Sequence, residues 1–589
     1  MKQPRFLILQ ALLLLFAAAT VGRLFYWQVL QHEDFSVAAK DQTENTVYLS
    51  AKRGKILSSD GSTLVSNQNA YLIYAILPEI KKSKKPGQSL EEFAKEIAEK
   101  ITPILTQAKV SFIENPKEKD REKIGNEIES YVSSQLEIEN LIWVPLAKKV
   151  SEGTKNKLQS LNIQGIGFQE DTMRFYPEDS LAANLVGFVA KDEIGNDKGY
   201  FGLEGFYDDK LRGRSGQLIQ EVDALGRPIL ISSPLGRSAL DGATLLTTID
   251  RTAQYIIENK LREGVKRYGA KSGAAILLDV KTSGVLATVS FPSFHPSYTA
   301  FFDADNFRNL GISEVYEPGS TFKSITMASA LDAGSIDTTT KCPCKGPIRV
   351  SGYEIQTVDN KYHPNSSITQ ILQHSDNTGA AFAARKMGID TFLSYIRNFG
   401  FGQDLGIDLQ GEESGIVKER KDWGEVELVT GAFGQGISVT ALQMVNAVAA
   451  IANDGVLMRP FLVKKITGLK SEVEFTSKKI RQVIKPETSS LMRELLLSAV
   501  EGGEAKKLIP HGYRIGGKTG TAQVPLAGHY STKTVASFVG FGPTEAPKFA
   551  MIVVLFEPSA SIYAAETSEP LFFEIVKDLY PYWGIKVSR

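Results

Sequence analysis

The chain has 589 residues, 42% of them hydrophobic and 23% charged, with 67 Lys+Arg balanced by 67 Asp+Glu. That is the composition of a folded protein, too long for one ordinary domain, so two to four domains are expected at roughly 150 residues each. A formal net charge of zero, with no basic stripe interleaved with aromatics, argues against a nucleic-acid partner.

At the N-terminus, "FLILQALLLLFAAATVG" (6–22) carries no charge, and after Arg23 the apolar character resumes in "LFYWQVL". Phe6 to Leu30 makes roughly 37 Å of helix, enough to cross a bilayer core. Lys2 and Arg5 precede it, which predicts an N-terminus in the cytoplasm and the remaining chain outside. A cleaved signal peptide ending near Ala17-Ala18-Ala19 is the rival, disfavoured because the apolar run continues past that point.

Next, "AKRGKILSSDGSTLVSNQNAYLIYAIL" (51–77) alternates strand-like segments around an Asp60-Gly61 turn. "SLEEFAKEIAEKITPIL" (89–105) reads as a helix with a Ser89/Glu92 capping box and Leu90, Phe93, Ile97 and Ile101 along one face. Residues 106–140, rich in Lys and Glu, are expected to be exposed and partly helical. From residue 242 the texture changes. "AAILLDV" and "VLATVSFP" predict a buried hairpin across the turn "KTSG", followed by a long helical region. Cys342 and Cys344, in "KCPCKG", are too few for a four-ligand zinc site, and a bridge across one residue is expected to be strained; neither is given a role. The chain closes with strands in "TVASFVGFGP" and "KFAMIVVLFEP" and a helix in "SEPLFFEIVKDLY". Strands at both ends with helices between predict one α/β domain whose sheet joins distant segments.

Three short patterns carry chemistry. In "EPGSTFKS" (317–324), Pro318 and Gly319 suit the start of a helix, placing Ser320 in its first turn. Lys323, three places on, shares its face. A serine needs a base to become a nucleophile, and a lysine in a dry site can serve. Alone, the pattern equally describes a capped helix with a solvated lysine. "QHSDNTGAAF" supplies Ser375, able to relay a proton, and Asn377, with an amide donor and acceptor for a peptide; alone it reads as a helix N-cap. In "IGGKTGTAQV", Lys518, Thr519 and Thr521 could hold a carboxylate, and Gly520 would admit a close ligand backbone. Alone it is a glycine-rich strand edge.

Together, Ser-x-x-Lys, Ser-x-Asn and Lys-Thr-Gly stand in the order shared by penicillin-binding proteins and class A β-lactamases. The chain resembles the class B, high-molecular-mass penicillin-binding proteins, which are peptidoglycan D,D-transpeptidases. The resemblance extends to "RGKILSSDGSTLV" (53–65), "RFYPEDSLAANLVGFV" (174–189), "GLEGFYDDKLRGRSG" (202–216) and "GAFGQGISVTALQM" (431–444). It implies a multidomain α/β chain: a cytoplasmic tail (1–5), a transmembrane helix (6–30), a mixed α+β pedestal or dimerisation-like domain (40–235), and a penicillin-binding transpeptidase domain (242–589) with a central antiparallel sheet flanked by helices. The resemblance also implies roles. Ser320 would attack the penultimate D-alanine carbonyl of a stem peptide, and Lys323 would take its proton. Ser375 and Lys518 would pass protons to and from the leaving or attacking amine. Asn377 would orient the donor peptide, while Thr519, Gly520 and Thr521 would hold the terminal carboxylate. The oxyanion hole would be the backbone N–H groups of Ser320 and Thr521. Glu317 and Asp376 are read as structural. No metal or organic cofactor is implied.

The rivals are a class A penicillin-binding protein, whose glycosyltransferase signature does not follow "HEDFSVAA"; a β-lactamase, for which no deacylating base is evident; a D,D-carboxypeptidase; and a non-catalytic scaffold. Within class B, the tail "IYAAETSEPLFFEIVKDLY" looks like the division-specific (septal) rather than the elongation-specific type. By family analogy the partners are stem peptides, β-lactams, the bacterial cytoplasmic membrane, a multi-pass glycosyltransferase and other division proteins.

Overall fold

The computed structural model describes residues 4–49, 51–111, 116–221, 235–357, 360–468, 471–503, 506, 510, 512–526 and 529–587. Helix α1 (Pro4–Phe25) continues through a π-helical turn, Tyr26–Leu30. The resulting 27-residue helix has a mean hydropathy of 2.0 in its apolar window and buries none of it, so it is long and apolar enough to cross a membrane. The expected span 6–30 falls inside it; residues 1–3 of the expected tail lie outside the described residues. The strands Glu44–Leu49, Gly216–Glu221 and Leu235–Arg237 form a separate three-stranded antiparallel sheet.

Strands β1 (Ile56–Leu57) and β2 (Thr63–Ile76) flank the Asp60-Gly61 turn, where the Asp60 carboxylate accepts hydrogen bonds from the Ser58 hydroxyl at 2.6 Å and the Ser62 N–H at 2.9 Å. Helix α2 (Leu90–Val110) starts with the expected capping box: the Glu92 N–H donates to Ser89 Oγ at 3.1 Å, and the Ser89 N–H donates to Glu92 Oε2 at 2.9 Å. Helix α3 (Glu118–Glu137) departs from the expectation of an exposed segment. Ile124, Ile128, Val132 and Leu136, four places apart, are buried in one core with Phe93, Ile97 and Ile101 of α2. Residues 112–115 of that segment lie outside the described residues. The long β2 pairs antiparallel with β3 (Trp143–Val150) and, from Ser66↔Phe175 to Ala75↔Ile166, with β4 (Ile166–Phe175). Where β4 ends, Arg174 forms a buried ion pair with Glu204 at 2.6 Å and donates to Asn67 Oδ1 at 3.0 Å.

The pedestal sheet extends into the second half of the chain. Strand β5 (Thr244–Thr247) runs parallel to β1. After it come α4 (Arg251–Arg267), capped by Asp250, and the predicted hairpin of β6 (Ser272–Asp279) and β7 (Val285–Phe291). A helical region contains α5 (Lys323–Asp332), α6 (Ile368–Gln373), α7 (Asn377–Met387) and α8 (Ala441–Ala452). Then β8 (Val463–Thr467) returns to pair antiparallel with β5, and β9 (Glu472–Glu474) adds to it. Helix α9 (Pro486–Glu501) leads to β10 (Gly516–Leu526), β11 (His529–Gly542), β12 (Phe549–Phe556) and α10 (Ser568–Tyr582).

The five-stranded antiparallel sheet has the order β7-β6-β12-β11-β10. Every residue of β12, "FAMIVVLF", is buried, because both faces are covered. Phe549, Met551, Val553 and Leu555 share a core with α4 and α10, whereas Ala550, Ile552 and Val554 point to the core of α5 and α8. Cys342 and Cys344, to which the sequence assigns no role, are joined in a disulfide. Cys344 adopts a left-handed φ of 37°, and the two Cα atoms stand 5.3 Å apart, within the ordinary span of a disulfide.

Candidate active site

Ser320 lies in a 3₁₀ turn, Gly319–Phe322, and the α-helix proper begins only at Lys323. The sequence placed Ser320 in the first α-turn; the tighter turn differs in a useful way, because residues i and i+3 eclipse in 3₁₀ geometry. Gly319 makes it possible with a φ of +56°, and its N–H donates to the Gly434 carbonyl at 3.1 Å. A Cβ on Gly434 would stand 2.3 Å from the Gly319 oxygen, so "GAFGQG" cradles the turn from behind. Ser320 is half-buried and Lys323 is fully buried.

Ser375 sits in the turn between α6 and α7 with a left-handed φ of 53°, uncommon for a residue with a Cβ. That conformation turns both its oxygens toward one neighbour: Lys323 Nζ donates to Ser375 Oγ at 3.2 Å and to the Ser375 carbonyl. Asp376 caps α7, accepting from the Thr378 N–H at 2.8 Å and the Gly379 N–H at 3.2 Å, so the N-cap reading belongs to Asp376 and leaves Ser375 to the cleft. Asn377 donates its side-chain N–H to the Gln356 carbonyl at 2.9 Å.

The edge strand β10 brings the third pattern against the first. A Cβ on Gly520 would meet the Pro318 carbonyl at 2.7 Å and Thr321 Cγ2 at 2.8 Å. The turn that carries Ser320 thus approaches the backbone of β10 closely at Gly520. Lys518 Nζ donates to Thr519 Oγ1 at 3.0 Å, and Lys518, Thr519 and Ser375 line one pocket. Thr521 Oγ1 accepts from the Ala564 N–H at 3.0 Å and keeps its own proton to donate. No group of three or more His, Cys, Asp or Glu suited to a metal ion occurs among the described residues.

The profile of the penicillin binding protein transpeptidase domain matches residues 273–577, and that of the penicillin-binding protein dimerisation domain matches residues 48–247. The chain belongs to the class B penicillin-binding proteins. Stage V sporulation protein D of Bacillus subtilis is 30% identical over 576 residues, covering 96% of this chain and 84% of that protein. The peptidoglycan D,D-transpeptidase FtsI of Escherichia coli K12 is 29% identical over 575 residues, covering 97% of this chain and 90% of that one. Among solved structures, a peptidoglycan synthetase from Bifidobacterium adolescentis superposes with a TM-score of 0.69 at 25% identity, covering 93% of this chain and 98% of that one.

In this class B penicillin-binding protein two further acidic residues adjoin the site. Glu317, three residues before Ser320, accepts from the Gly436 N–H at 2.9 Å and from the Tyr530 hydroxyl at 3.0 Å. It thereby ties the Ser320 turn to the loop behind it and to β11, consistent with the structural reading. Burial pushes its carboxyl above the usual range, partly offset by those two hydrogen bonds. Glu569, in the first turn of α10, lines the pocket that holds Lys518. Sequence reasoning passed over it, because an acidic residue at a helix start reads as ordinary complementarity to the helix dipole.

Proposed function

We propose that the protein is a septal peptidoglycan D,D-transpeptidase that acts through an acyl-enzyme on Ser320. The observation that carries this reading is the convergence of the three patterns: buried Lys323 bonded to Ser375, Ser375 sharing a pocket with Lys518, and the Ser320 turn packed on Gly520. Ser320 Oγ attacks the penultimate D-alanine carbonyl while Lys323 takes its proton, a contribution of about 10²- to 10⁴-fold. The carbonyl oxygen becomes an oxyanion held by the backbone N–H groups of Ser320 and Thr521, each worth about 10²- to 10³-fold. Lys518 and Ser375 deliver a proton to the departing D-alanine amine. Thr519 and Thr521 hold the terminal carboxylate, and Asn377 orients the donor amide once it exchanges the Gln356 carbonyl for substrate. An amine from a neighbouring strand then attacks the ester and forms the cross-link, its proton returning along the same groups.

The apolar helix Pro4–Leu30 anchors the protein in the bacterial cytoplasmic membrane, with Lys2 and Arg5 inside and the catalytic domain outside. The septal role rests on the likeness to FtsI, and a multi-pass glycosyltransferase and other division proteins are its expected partners. The equal likeness to a stage V sporulation protein favours a second reading, cross-linking confined to sporulation. Incubation of the protein with penicillin, followed by intact mass, tests the chemistry. One stable adduct on the parent and none on Ser320→Ala is the expected result. Rapid release of hydrolysed drug would indicate a β-lactamase instead. Depletion in the host separates the biological roles: filamentation indicates division, and failure only of spore formation indicates the second reading.

A further inference from the structure

A lysine and a glutamate are buried together beside the carboxylate-binding strand. Lys518 is 5% exposed and Glu569 is 4% exposed, and both line the same pocket. They reach it from different elements. Lys518 projects from β10, whereas Glu569 comes from α10, which packs on β11 through Phe572 and Phe573 against Phe538, with ring centroids 4.7 and 5.9 Å apart. Among the described residues lining this pocket, Lys518 and Glu569 are the ionisable ones; the rest come from α6, the Ser375 turn, α9, β10 and β11 and carry no charge. Lys323 lies outside this lining and donates to the hydroxyl of Ser375, which belongs to it.

Burying a lone ammonium or a lone carboxylate is strongly unfavourable, and pairing removes most of that cost. Glu569 has a second reason to be ionised: it lies in the first turn of a 15-residue helix, where the dipole favours negative charge. Thr519 Oγ1 and the Thr519 carbonyl, at 3.0 and 3.3 Å from Lys518 Nζ, are neutral acceptors and cannot supply a counter-charge.

We propose that Glu569 is a positioning residue for Lys518, a buried carboxylate that holds the lysine as an ammonium aimed at the substrate's terminal carboxylate and at Ser375. This rests on the transpeptidase reading and deepens it. Held as an ammonium, Lys518 can attract the carboxylate and has a proton to donate to the leaving amine. Lys323, bonded to neutral serine oxygens, is left to act as the base.

The test is the rate of penicillin acylation of the full chain against pH, for the parent, Glu569→Gln and Glu569→Asp. Removing the carboxylate makes Lys518 easier to deprotonate, so the alkaline limb of the Gln profile is expected about one to three pH units lower. Acylation by the Gln variant then falls about tenfold or more at about pH 9 and stays close to the parent at about pH 6. The Asp variant, with a shorter reach, is expected to shift the same limb by less. A Gln profile with the parent's shape, whether at the same level or uniformly lower, overturns the proposal, since a merely structural carboxylate would give that result. Should the Gln variant fail to fold, an unshifted Asp profile overturns the proposal by itself. A parent that forms no adduct overturns the transpeptidase reading and this one with it.

Discussion

The pedestal and the catalytic domain each bury cations, and they do so in opposite ways. In the pedestal, Arg174 meets Glu204 at 2.6 Å and Asn67 at 3.0 Å, two elements locked by one planar, bidentate group. In the catalytic domain, Lys323 is fully buried but bonds the hydroxyl and carbonyl of Ser375, neutral partners of which the hydroxyl can exchange a proton. The contrast separates a cation that fixes geometry from one that can act. Burial alone does not tell them apart; the partner and the side chain's capacity to lose a proton do.

Exchanging the two kinds of cation should break that contrast most sharply. Lys323→Arg keeps the charge but cannot give it up, so penicillin acylation should fall by about 10²- to 10⁴-fold, read from the rate of adduct formation by mass. Removing the pedestal cation should act on stability instead. Arg174→Ala removes the guanidinium bonded to the buried Glu204 carboxylate and should lower unfolding free energy by about 3–5 kcal/mol. Acylation of the fraction still folded should be close to the parent's. A denaturant melt paired with the penicillin assay checks both, and a stable Arg174→Ala protein would refute the assignment of the pair as a brace.

The smallest effect concerns Glu317. Its carboxyl is pushed above the ordinary value near 4.5, chiefly by burial, so the neutral form suits the folded state. The resulting stability is fully present below the ordinary value and is lost as pH rises through the raised one. Glu317→Gln keeps an acceptor for the Gly436 N–H and removes the titration. Its melting temperature relative to the parent should therefore be higher at about pH 8 than at about pH 4. Equal differences at both would show that Glu317 is not strained by its charge.

Much of the catalytic domain was legible in the sequence, for physical reasons. The runs "AAILLDV", "VLATVSFP" and "KFAMIVVLFEP" are apolar on both strand faces, which only a sheet covered on both sides requires. Ser320, Lys323, Ser375 and Lys518 could be named because their spacing and residue types are rarely combined by chance. What escaped was set by distant partners. The apolar positions of α3 are diluted by Lys and Glu, and its burial depends on α2. The 3₁₀ turn at Ser320 is bonded through Gly319 to Gly434, more than a hundred residues away, a contact that no local pattern announces. Glu569 lies far along the chain from Ser375, and no local pattern announces that they share a pocket.

The sheet that carries the pedestal also sets an order of assembly. Strand β5 pairs parallel with β1 on one side and antiparallel with β8 on the other, and β8 comes from residues beyond 460. A chain emerging N-terminus first therefore cannot finish the pedestal sheet until nearly four-fifths of it has been delivered. Until then the outer side of β5 is an open edge able to pair with any passing strand. The pedestal sheet is complete only once β8 has joined it, and a truncation that spares residues 40–235 but removes β8 would leave that sheet unfinished.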